Sequence, residues 1–176
     1  MSLVEFFATH PVFSLDEAAN TLAPPGGRMG TVERLKHHLE TGRLTLPTRT
    51  VYAVVPPGVP ASRFRPDPFL VAAAARPDAV FSHRSALELL GAAHTVWTRT
   101  TLYTRRSLPL TGATVRFLED PAPLAVGNRR HLGTRRVERR GRLLEVTGPE
   151  RLLARCERHR PRSPQYLERR RLTAIG

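Results

Sequence analysis

Cysteine is almost missing from this 176-residue chain, which holds Cys156 alone. One thiol forms no intramolecular disulfide and no multi-cysteine zinc site. Lysine is as scarce: of 28 basic residues, 27 are arginine and one is Lys36. No apolar run approaches the roughly 20 residues that a membrane-crossing helix needs. The opening Met1-Ser2-Leu3-Val4-Glu5 has no basic stretch leading into a hydrophobic segment, so no secretory signal is expected. A cytoplasmic protein without membrane contact is the simplest expectation. Hydrophobic residues make up 40% of the chain, enough for a modest core and too many for wholesale disorder.

Acidic residues are also few, 15 against 28 basic, for a formal net charge of +13. The excess is unevenly placed. Residues 1–66 carry seven basic and five acidic groups, residues 67–128 six and five, and residues 129–176 fifteen and five. The arginine bias itself fits GC-rich coding, but its concentration in the last quarter suits a polyanion or an acidic protein partner.

The order of elements predicts an α+β chain. Ser2 and Glu5 have capping-box spacing ahead of a helix over Leu3 to Thr9, which ends before Pro11. Ser14 and Glu17 repeat that spacing, and Leu15, Ala18, Ala19 and Leu22 form one apolar stripe. Pro24-Pro25-Gly26-Gly27 forces a turn. A third helix is expected over Gly30 to Glu40, with Val32, Leu35 and Leu39 inward. Arg43–Leu46 and Thr50–Val54 are expected as strands around a tip at Pro47-Thr48-Arg49. Helix, helix, turn, helix and hairpin is the order of a winged helix-turn-helix, assigned to residues 1–55. Its third helix would enter the major groove. Arg34 is then the candidate base reader, Arg28 and Thr31 candidate phosphate contacts, and His37, His38 and the hairpin-tip Arg49 further DNA-contacting candidates.

Residues 56–66 hold four prolines and are expected as a linker. A small mixed α/β domain is expected over 67–176. Asp67 caps a helix with Pro68 in its first position. Ala79–Phe81 is extended, and Ser82 caps a helix from His83 to Leu90 that Gly91 stops. Strands are expected over Thr95–Thr104, Thr114–Leu118, Thr134–Arg139 and Leu143–Val146, with Arg140-Gly141-Arg142 as a turn. Thr147 and Glu150 have capping-box spacing for a helix to Glu157, and a last short helix is expected over Gln165–Leu172. Arg139, Arg140 and Arg142 are candidate phosphate contacts beside the winged-helix footprint.

Catalytic and metal chemistry find little support. Ser82-His83-Arg84-Ser85 lacks the spatially separate acid of a triad and suits a helix start better. The seven histidines show no HExxH spacing. Pro24–Gly27 lacks the Lys-Ser/Thr of a phosphate loop. Glu119-Asp120 has no partner spacing for a nuclease, and Cys156 is expected as a packed thiol. No cofactor, metal or enzymatic activity is expected. Besides DNA binding, one alternative is a winged helix that docks on protein with a basic domain gripping an acidic partner. A nuclease-like enzyme is a third.

Four segments together carry a family resemblance: Val51-Tyr52-Ala53-Val54, Asp67–Ala73, Ser82-His83-Arg84-Ser85-Ala86-Leu87-Glu88-Leu89-Leu90-Gly91 and Val146–Leu153. Over roughly residues 12–160 the chain resembles the AbiEi antitoxins of type IV toxin–antitoxin systems. The resemblance implies an autorepressor that binds repeats in its own promoter. It also implies an antitoxin that neutralises a nucleotidyltransferase-like toxin without a stable complex. The chain departs from that family at Ala154-Arg155, where an acidic residue is usual.

Overall fold

The computed structural model describes residues 1–94, 98–105, 115–118 and 127–152. Within them the chain mixes α-helices with two separate sheets. Helix α1 (Leu3–Thr9) starts from the expected capping box: Ser2 Oγ accepts the Glu5 N–H, and the Glu5 carboxylate accepts the Ser2 N–H. Strand β1 (Val12–Ser14) follows, then α2 (Leu15–Leu22), opened by a second capping box between Ser14 and Glu17. Helix α3 (Gly27–Glu40), β2 (Leu44–Thr48) and β3 (Val51–Val54) complete this unit. The sheet order is β1-β3-β2, antiparallel throughout.

Strand β1 is absent from the sequence expectation. Three residues are too few to show alternation, and only pairing with Val51–Ala53 defines the strand. Helix α3 starts at Gly27 rather than Gly30. Gly26 and Gly27 take φ of 83° and 55°, a region open to glycine, so the chain turns and enters the helix at once. Gly30 then lies under that turn: a Cβ there would stand 2.1 Å from the Pro25 carbonyl oxygen. The hairpin tip narrows to Arg49-Thr50. Pro47, which cannot donate to a ladder, falls in the irregular stretch between Thr45 and Thr48.

The second half runs α4 (Pro68–Ala75), β4 (Val80–Phe81), α5 (His83–Leu89), β5 (Thr100–Tyr103), β6 (Val115–Leu118), a 3-10 turn (Gly127–His131), β7 (Thr134–Arg139) and β8 (Arg142–Thr147). The sheet order is β6-β5-β4-β8-β7, with β4 parallel to β8 and antiparallel to β5. Arg140 and Gly141 join β7 to β8 with φ of 50° and 80°, the paired positive values that a two-residue hairpin turn with the strands' own twist requires.

Two expected helix caps differ. Ser82 precedes α5 but makes no cap bond, because His83 turns left-handed (φ 53°) directly after it and the Ser82 hydroxyl meets His83 Nδ1 at 3.0 Å instead. Thr147 ends β8, and its hydroxyl donates to the Phe81 carbonyl, which ties β8 to β4 rather than capping a helix. The strand expected from Thr95 begins at Thr100. Residues 149–152 form the start of the helix expected to reach Glu157; residues 95–97, Thr114, Glu119-Asp120, Cys156, the rest of that helix and the Gln165–Leu172 helix lie outside the described residues.

Segment 56–66 has neither helix nor strand, as its prolines demand. The units it joins still share a core. Val12, Val51 and Ala53 of the first sheet pack in one buried cluster with Phe69, Leu70, Phe81, Leu102, Leu144 and Val146. A second cluster, including Phe6, Phe7, Phe13, Leu15, Leu35 and Tyr52, lies under α1, α2 and α3. Replacing Gly30 by Ala should lower stability by about 2 kcal/mol, since the Pro25 carbonyl must move to admit the methyl. Urea unfolding would show this as a lower midpoint at unchanged slope.

Candidate nucleic-acid interface

Helix α3 has one packed flank and one open flank. Thr31 and Leu35 are fully buried, with Val32, His38 and Leu39 partly so. Glu33, Arg34, Lys36, His37 and Glu40 are exposed. Val32, Leu35 and Leu39 pack inward as expected, and Thr31, expected to point outward or sideways, joins them. Thr31 tolerates burial because its hydroxyl donates to the Gly27 carbonyl one turn back, at 2.9 Å. It cannot touch a phosphate.

His38 also departs from its expected role. Its ring packs edge-on against Phe7, with centroids 5.1 Å apart. Burial, then the charges of Arg43 and His37, lowers its pKa. It serves the core edge rather than a groove. His37 stays exposed on the open flank, and so does Arg34. Arg49 stands exposed at the hairpin tip. Arg28 is exposed in the first turn of α3 but pairs with Asp16 of α2 at 2.7 Å, so a phosphate would have to compete with that carboxylate. Lys36, missed by sequence reasoning, is also exposed, but it lies about 160° around the helix from Arg34, with Glu33, His37 and Glu40 in the open arc between them.

The three candidate arginines at the β7–β8 turn separate sharply. Arg139 Nε donates to Asp67 at 2.7 Å, and its guanidinium lies 4.8 Å from the Phe69 ring centroid. Arg142 donates to both carboxylate oxygens of Glu17. Only Arg140, held in the turn, remains exposed. Arg139 and Arg142 are thus corrected from phosphate contacts to internal partners of carboxylates. Sequence reasoning lacked the partners because Asp67 and Glu17 are 72 and 125 residues away. The one available signal was that both carboxylates sit at helix starts, where an acid has a second duty.

The Ser82–Ser85 segment forms structural contacts. Ser82 and Ser85 are buried, and Ser85 Oγ accepts the Thr101 N–H at 2.7 Å, stitching α5 to β5. Asp78 accepts from Thr104, the Arg105 N–H and Arg130. Burial would raise its pKa, but those donors outweigh burial and hold it low. Among the described residues no three His, Cys, Asp or Glu side chains stand together as a metal site. No helix among them is long and apolar enough to cross a membrane.

No protein-family model matches the chain. No curated protein matches it either. Among solved structures, the crystal structure of the RV2827C protein from Mycobacterium tuberculosis is similar, with a TM-score of 0.50 and 20% identity, over 88% of this chain and 58% of that one. The chain thus spans under two thirds of that protein's length, and at this identity the likeness concerns the fold alone.

Because the folded state disfavours the charged His38 ring, its contribution to stability is full above the ordinary value of 6.5 and declines as the pH falls below it. Thermal melting at about pH 7.5 and about pH 5.5 should show a loss at the lower value that is smaller in His38→Gln.

Proposed function

We propose that this chain is a non-enzymatic, cytoplasmic DNA-binding autorepressor whose amino-terminal unit is a winged helix-turn-helix. The observation that carries the reading is the two-sided character of α3. One flank is packed through Thr31 and Leu35, and the other offers Arg34, Lys36 and His37 to solvent. The chain order adds support: α1, β1, α2, α3 and a β2–β3 hairpin, with β1 closing a three-stranded sheet, suits a helix presented to the major groove and a wing beside it.

In this reading Arg34 uses its planar fork on guanine O6 and N7, the commonest specific contact in the major groove. Lys36, His37 and Arg49 lie against phosphates, and Arg28 joins them when it leaves Asp16. Arg140 extends the footprint from the second unit. The antitoxin role rests on the resemblance to the AbiEi family, carried by Ser82–Gly91 and Val146–Leu153. Its target would be a nucleotidyltransferase-like toxin, neutralised without a stable complex. The duplex would be repeats in the protein's own promoter.

A second reading draws on the same helix. Glu33 and Glu40 offset Arg34 and Lys36 on the open flank, and Met29 and Leu46 expose 69% and 47% of their surfaces. That composition favours α3 docking on a protein, with the arginine-rich carboxyl-terminal quarter gripping an acidic partner.

Gel shift on the chain's upstream DNA separates the two. Repression predicts a specific complex that Arg34→Ala weakens about tenfold or more. Thr31→Ser should leave it within about twofold, as a buried hydroxyl demands. No specific complex would leave the docking reading standing. Replacing Arg139, Arg140 and Arg142 together by Gln should lower the slope of log affinity against log salt by about one, for Arg140 alone, and not by about three.

A further inference from the structure

We propose that the β7–β8 hairpin is a brace for the DNA-reading helices, with Arg142 and Glu17 as positioning residues; the inference rests on the DNA-binding reading. Its basis is a juxtaposition at the hairpin's end. Arg139 and Arg142 are cross-strand partners in the β7–β8 register. Two like charges directly opposite one another destabilise a hairpin unless each finds its own counterion. Here each does, and the counterions belong to different units. Arg139 turns to Asp67, the N-cap of α4, whose other oxygen accepts the Phe69 N–H. Arg142 turns to Glu17, the third residue of α2, whose carboxylate also accepts the Ser14 N–H.

One short turn therefore holds the starts of two helices, α4 in its own unit and α2 in the other. Helix α2 is coupled onward to α3. Leu15 and Ala18 share a buried cluster with Leu35, and Asp16 pairs with Arg28. The path from the second sheet to the open flank of α3 runs Arg142, Glu17, α2, α3. The Arg142–Glu17 pair is only part-exposed, at 21% and 28% of the side-chain surfaces, so solvent screens it less than a surface pair. Its role is to set the tilt of α3 against the second unit, and so whether Arg34 and Arg140 meet one duplex together.

Glu17→Gln in the full chain tests this with opposed signs. Gln keeps the capping-box hydrogen bond but removes the charge that holds Arg142. The variant also gains one unit of net positive charge, so electrostatics alone predicts tighter binding. The brace predicts weaker binding to upstream DNA, by about fivefold, with the salt slope unchanged. Arg142→Gln added to Glu17→Gln should weaken it no further. Tighter or unchanged binding by Glu17→Gln overturns the proposal, as does a further loss of affinity in the double variant. Hydrogen exchange of the free protein provides a readout apart from DNA. Glu17→Gln should speed exchange of α2 amides by about fivefold, and unchanged exchange overturns the brace. If the unaltered chain binds no specific duplex, the repressor reading fails, and this exchange result decides the brace alone.

Discussion

The close approach of the Pro24-Pro25-Gly26 turn to Gly30 is the constraint on which the rest depends. It sets the angle at which α3 leaves α2. That angle buries Thr31 and Leu35 together and turns Glu33, Arg34, Lys36 and His37 outward. Two glycines with positive φ make the turn, and a third, Gly30, admits the Pro25 carbonyl at a distance no side chain allows. A small shift here would rotate the packed stripe of α3. Thr31 would then surface, and part of the open flank would turn inward.

The shared core fixes the second relation. Val12, Val51 and Ala53 belong to the first sheet, yet they pack with α4 and the second sheet. Helix α4 suits this position. Phe69, Leu70, Val71, Ala72 and Ala74 are buried around nearly its whole circumference, so it lies between the two sheets rather than on a surface. The proline-rich segment 56–66 thus marks a change of element type without separating the cores.

Local chemistry explains which features were legible in the sequence. The two capping boxes, α1, α2, α4, β7 and the break at 56–66 each follow from residues a few positions apart, and each stands where expected. The misreadings involve distant partners. Strand β1 exists only through β3. The rotation of α3 depends on Pro25; Val32, Leu35 and Leu39 face inward as expected, but Thr31 joins them because a Thr can bury its hydroxyl against its own helix. Ser82 and Thr147 have good cap spacing, but left-handed His83 and the Phe81 carbonyl claim them first. At the candidate interface, Arg34, His37 and Arg49 were placed by helix and turn logic alone. Arg139 and Arg142 were misjudged because a count of charges does not reveal where the carboxylates fold back.

The competition for Arg139 can be settled by magnitudes. Asp67 keeps only 5% of its side-chain surface exposed, against 35% for Arg139. Withdrawing the arginine would leave a buried carboxylate without its cation, which costs more than opening an exposed ion pair. A single phosphate contact at physiological salt returns roughly 1 kcal/mol through counterion release. Arg139 therefore stays on Asp67 when a polyanion approaches. The stacked Phe69 ring, 4.8 Å from its guanidinium, adds to the preference. Arg28 faces the opposite balance. Its partner Asp16 is 68% exposed, water can take over the carboxylate, and the ion pair is worth about 1 kcal/mol or less. Of the two arginines, the one beside α3 is free to change partner and the one in the hairpin is not. Among the described residues, burial thus divides the positive charge into a fixed internal share, which includes Arg139 and Arg142, and an exposed share able to meet a ligand.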